Sequence, residues 1–173
     1  MCAFPLHLWA LILIFRDVSW VAERTNAWDA VGVASYGLVY AFVESVIYFA
    51  VVASLGLVVS PKWTEDRRVA LLSILALVTA LWAIDDQAYF VWGSYVPEQF
   101  VWYAATLKHP LRFLYGAALA LALPTIVIPV YLVLKSDRFL NLMQGLIERL
   151  SLLTMFYLFF DAVGLIVIII RNI

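Results

Sequence analysis

The sequence predicts an all-α integral membrane protein, and three observations carry that reading. Hydrophobic residues make up 66 % of the 173-residue chain and charged residues only 13 %. A soluble domain carries roughly 45–50 % apolar and about 25 % charged residues, so too little polar surface remains here to face water. Several apolar runs reach the ~20 residues that a helix needs to cross about 30 Å of hydrocarbon. Finally, seven Trp, nine Tyr and eleven Phe supply the aromatic load expected at two membrane interfaces. The expectation is a single transmembrane helical domain over residues 1–173. It is a bundle of about five transmembrane helices, with an aromatic interfacial segment and a short amphipathic interfacial helix.

The first span is expected over 3–22. It has no basic n-region or small-residue cleavage site and runs on into Arg16-Asp17, so it reads as a retained span rather than a secretory signal. The second, over 30–59, is long enough to tilt or protrude. Near its middle lies Glu44, with Tyr36, Tyr40 and Tyr48 at four-residue steps, which places them along one slowly winding helical stripe. In the turn that follows, Thr64 is the expected N-cap, with Glu65 and Asp66 in the first helical turn.

The third span is expected over 69–90, with Thr79, Trp82, Asp86 and Tyr89 on one face. The connection over 87–109 is crowded with aromatics: Tyr89, Phe90, Trp92, Tyr95, Phe100, Trp102 and Tyr103. Pro97-Glu98-Gln99 opens a short helix within it, and a belt anchoring the bundle is its default role. Trp102-Tyr103 with Lys108-His109-Pro110 resembles part of the motif of the tryptophan-rich sensory (translocator) proteins. That motif continues into a Trp and paired prolines between the first two spans. Here Leu111-Arg112-Phe113 follows, ahead of the fourth span, so no property is carried over.

The fourth span, over 111–134, holds Pro124 and Pro129, each of which removes a backbone donor and predicts a kink. Residues 136–149 are amphipathic, with Phe139, Leu140, Leu142, Met143, Leu146 and Ile147 opposite Asp137, Arg138, Asn141, Gln144 and Glu148. An interfacial helix and the first turns of one long helix both fit that pattern. The fifth span, over 148–170, carries Thr154, Tyr157, Asp161 and Gly164 on one face.

Counting depth brings the ionisable residues into two groups. Arg16, Glu44 and Asp161 each fall about 13–14 residues into their spans, near the bilayer midplane at 1.5 Å per residue. With Asp17, Tyr36, Tyr40, Tyr48 and Tyr157 they form an expected intramembrane polar layer. If Arg16, Asp17, Glu44 and Asp161 are all ionised, one positive and three negative charges leave −2. A low-dielectric site will not keep that excess without a proton, a cation or an escape to water. Asp85, Asp86, Lys108, His109 and Arg112 form an outer polar group towards one end.

Several functions are disfavoured. A net charge of −1 without a basic run gives no reason to expect nucleic acid as a partner. Cys2 is the single cysteine, so there is no intrachain disulfide and no cysteine pair for metal or redox work. His7 and His109 fall towards opposite ends of the bundle, which argues against a bis-histidine haem. There is no metal-ligand spacing, phosphate loop or nucleophile elbow. Catalysis would have to run through the carboxylates, a non-enzymatic role is the expectation, and the residues do not identify a cofactor.

The expected partners are the lipid bilayer and other membrane subunits or a second copy. The expected role is that of a subunit or membrane module of a larger membrane complex. A small proton- or cation-coupled transporter, or a membrane anchor for an extracytoplasmic domain, are the alternatives. Lys62, Arg67, Arg68, Lys135, Arg138 and Arg149 on one side outnumber Arg24, Lys108, Arg112 and Arg171 on the other. That bias predicts a cytoplasmic N-terminus and an extracytoplasmic C-terminus.

Overall fold

A computed structural model describes residues 1–92 and 97–173, the side chains of Phe90 and Trp92 excepted. Among the described residues it is all-helical: α1 Ala3–Arg24, α2 Ala27–Gly56, α3 Glu65–Trp92, α4 Glu98–Thr106, α5 Pro110–Lys135 and α6 Asp137–Asn172. All but α4 are long and apolar enough to cross a membrane. Large apolar side chains such as Phe15, Phe49, Leu121, Met155 and Phe159 point outward along them. Water does not tolerate so continuous an apolar surface, and lipid does, which supports a multi-pass membrane protein.

Local chemistry sets the helix ends. Asn26 caps α2 by accepting the Asp29 N–H at 2.9 Å, so α1 and α2 reverse direction in two residues. Thr64 Oγ1 accepts from the Arg67 N–H at 3.4 Å at the start of α3. Pro110 begins α5, where its missing N–H costs nothing. Ser136 ends α5 and caps α6, its Oγ accepting the Phe139 N–H at 3.3 Å. Helix α5 continues as helix through Pro124 and Pro129.

The separate amphipathic helix expected over 136–149 is not formed. Those residues are the first turns of the 36-residue α6. The reason lies in what their apolar face meets. Leu140 and Met143 are buried against Ala70 and Ile74 of α3 and Val133 of α5, so the stripe has protein to cover it instead of a membrane surface. Arg67 ties the same corner with an ion pair to Asp137 at 2.7 Å.

The most extensive packing is between α1 and α2 and between α2 and α6. Gly164 sets the second contact: a Cβ there would lie 3.2 Å from the Ser35 carbonyl oxygen, closer than ordinary packing allows. Small residues bring membrane helices together in this way because dispersion contacts, not water exclusion, hold them. Helix α4 docks its Phe100 and Tyr103 rings on Phe113 of α5, while Trp102 stays exposed. Of the other aromatics in that connection, Tyr95 and the side chains of Phe90 and Trp92 lie outside the described residues.

Candidate functional site

Three helices converge on one buried polar cluster. His7 of α1 is 1 % exposed and Asp161 of α6 is 5 % exposed, with Ser45 of α2 buried beside them. His7 Nε2 lies 3.0 Å from Asp161 Oδ2 and 3.2 Å from Oδ1. On the other side of the ring, Nδ1 is 2.9 Å from the Ala3 carbonyl oxygen and 3.4 Å from Ser45 Oγ. The Tyr157 ring stacks on the imidazole with centroids 4.8 Å apart and planes 14° apart.

The proton inventory follows from what each partner can do. A carbonyl only accepts, so the bond to Ala3 places a hydrogen on Nδ1. Ser45 spends its own hydrogen on the Ala41 carbonyl at 2.7 Å, and so offers Nδ1 a lone pair. One further proton therefore lies between Nε2 and Asp161, giving either imidazolium with carboxylate or imidazole with carboxylic acid. Both forms are neutral overall, which is the condition for keeping such a pair out of water.

Arg16 does not reach this cluster. Its guanidinium pairs with the neighbouring Asp17, Nε to Oδ1 at 2.7 Å and Nη2 to Oδ2 at 3.0 Å, with both side chains substantially exposed. Asp161 instead sits against His7, nine positions before Arg16 (16 − 7) and about 13 Å away along α1. Depth counted from residue 148 misplaces it because α6 begins at Asp137, and because Gly164 on Ser35 sets its register against α2.

The α2 stripe also divides. A four-residue step advances about 400° around a helix, so each successive residue turns by about 40°. Tyr36 accepts from Asn172 Nδ2 at 2.9 Å, near the C-terminal end of α6. Tyr48 has turned towards α3, donating to the Ala76 carbonyl at 2.7 Å and contacting the Thr79 hydroxyl. Between them, Tyr40 is 66 % exposed. Glu44 lines an open groove of about 290 Å³ with Trp9, Asp17, Tyr40 and Gln87. Glu44 makes no hydrogen bond or ion pair among the described residues.

The outer residues Asp85, Asp86, Lys108, His109 and Arg112 are all exposed, and no hydrogen bond joins any of them to another among the described residues. Asp85 borders a separate groove with Trp82 and Thr125, where Trp82 Nε1 donates to Thr125 Oγ1 at 3.0 Å.

His7 and Ser45 are the members of this buried polar cluster that reading the sequence missed. The signal was available: His7 lies inside the first apolar span, and an intramembrane ionisable residue calls for a partner whatever its depth. Arg171 is the second omission. It pairs with Asp29 at 2.8 Å, bonds the Trp28 carbonyl and lies over the Trp28 ring at 5.5 Å. Gly32 leaves it room, since a Cβ there would come within 2.6 Å of the guanidinium carbon.

Comparison with family models, curated proteins and solved structures yields no match. The functional reading therefore rests on the class the fold defines, a helical multi-pass membrane protein, and on the two polar features of its interior and flank.

Proposed function

We propose that the chain is a subunit or membrane module of a larger membrane complex, docked through the α1–α2 groove that carries Glu44. One observation carries this reading: a carboxyl group near the middle of a membrane-spanning helix has no hydrogen-bond or ion-pair partner among the described residues. A charged carboxylate facing hydrocarbon there costs about 2.5–3.5 kcal/mol. A partner helix offering a cation or hydroxyl donors would remove that cost. Exposed Tyr40 and Asp17 extend the same polar strip, which lipid would otherwise have to cover.

Purification in mild detergent tests this. The expected particle has a protein mass well above the 19.6 kDa of one chain, and Glu44→Leu should release the chain from it. A monodisperse single chain from native membranes overturns the proposal. The side bearing Arg67, Arg68 and Lys135 is proposed to be cytoplasmic, testable by accessibility of single cysteines placed in each loop.

The His7–Asp161 pair favours a second reading, a proton- or cation-coupled carrier, because it holds one transferable proton beside a cavity. Flux in liposomes lost in His7→Gln, with unfolding unchanged, would support it. Unchanged flux would dispose of it.

A further inference from the structure

The His7–Asp161 pair does not sit in solid packing. It forms one wall of a cavity of about 220 Å³ between α2 and α6, whose other walls include Phe42, Val46, Phe49 and Leu158. All four of those side chains are exposed on the outer surface of their helices, so the mouth of the cavity opens towards lipid. Any ligand must therefore arrive dissolved in the membrane.

The chemistry of the walls narrows its class. A dry cavity of about 150 Å³ holds benzene, so this one accommodates a single substituted ring. The Thr154 and Ser45 hydroxyls donate to the Leu150 and Ala41 carbonyls of their own helices. The Tyr157 hydroxyl makes no hydrogen bond among the described residues and is a donor on α6 available to a ligand, with the Met1 amino group and the Cys2 thiol also in the walls. Asp161 keeps oxygen lone pairs beyond those facing His7, and is the acceptor. These two residues are four apart on α6, one turn above each other on the same face.

A ligand that uses both must accept from one and donate to the other, as a ring hydroxyl does. The side-chain charges in these walls, His7 and Asp161, pair with each other, and Met1 brings its amino group to the same walls. A bare acyl chain would leave both polar groups unanswered.

We propose that this cavity binds a membrane-dissolved phenol or quinol ring, its hydroxyl accepting from Tyr157 and donating to Asp161 while its ring fills the slot between Phe42, Val46 and Leu158. The site is separate from the Glu44 groove, and the proposal does not depend on the docking role of that groove.

Thermal unfolding of the purified chain in lipid nanodiscs tests it, with 4-hexylphenol, hexylbenzene and 1-decanol added at equal concentrations. The expected order of midpoint increase is 4-hexylphenol first, hexylbenzene second, and 1-decanol no different from buffer. Tyr157→Phe keeps the stacked ring and should weaken 4-hexylphenol about fivefold while leaving hexylbenzene unchanged. Val46→Trp, which fills the mouth without touching the polar pair, should abolish both shifts. Equal shifts for 4-hexylphenol and hexylbenzene, or a shift that survives Val46→Trp, would overturn the proposal in favour of bulk partitioning. No shift with any probe would also overturn it, in favour of a cavity that holds only water.

Discussion

Asp161 and Glu44 are both carboxyl groups well inside membrane-spanning helices, and the protein treats them in opposite ways. Asp161 is buried and meets the imidazole of His7, which in turn carries the stacked Tyr157 ring and neighbours the Ser45 hydroxyl. Glu44 lines an open groove and makes no hydrogen bond or ion pair among the described residues. The difference teaches that depth alone does not decide how a buried charge is answered; helix register and crossing do. It also divides the labour, since a satisfied pair can be structural or can hold a ligand, whereas an unsatisfied group on the flank asks for another molecule.

The comparison predicts a ranked series of effects. The largest should come from Asp161→Ala, which strands His7 and opens the cluster. Removing one member of a buried pair costs about 3 kcal/mol, read as a lowered unfolding free energy in detergent titrations. Gly164→Val should follow at about 2 kcal/mol, because the Ser35 backbone is pushed away and α2 and α6 separate. A variant that leaves His7 and Asp161 in contact by crosslinking despite Gly164→Val would show that the pair, not the glycine, sets the register. Tyr48→Phe removes the bond to the Ala76 carbonyl and should cost about 1 kcal/mol.

Glu44→Gln should change the stability of the isolated chain least among the carboxyl variants, and should instead reduce recovery of the larger particle. If it unfolds the isolated chain as severely as Asp161→Ala, the contrast between the two sites collapses. Arg16→Ala, at an exposed pair, should leave the unfolding midpoint unchanged.

Much of the architecture was legible because a membrane span is a long, one-letter-at-a-time signal. The spans expected at 3–22 and 111–134 differ from α1 and α5 by only a residue or two at each end. The continuity of α6 was not legible, because the same amphipathic stripe over 136–149 serves a membrane surface or a protein groove equally well. The Thr154–Tyr157–Asp161–Gly164 face was readable from its spacing, and it does turn inward, with Gly164 on Ser35 and the other three lining the cavity. Its partner His7 was not, because pairing across helices depends on where two backbones touch. That contact is decided by a glycine and a serine that carry no charge.

The length of α6 has a mechanical side. Its 36 residues span about 54 Å, against roughly 30 Å of hydrocarbon. It is clasped by Arg67 at one end and by its own Arg171 on Asp29 at the other. A hydrogen-bonded helix scarcely shortens along its axis. A displacement of Asp137 along that axis would therefore carry Asp161 with it, and one helical turn of travel, about 5.4 Å, would take the carboxyl out of reach of His7.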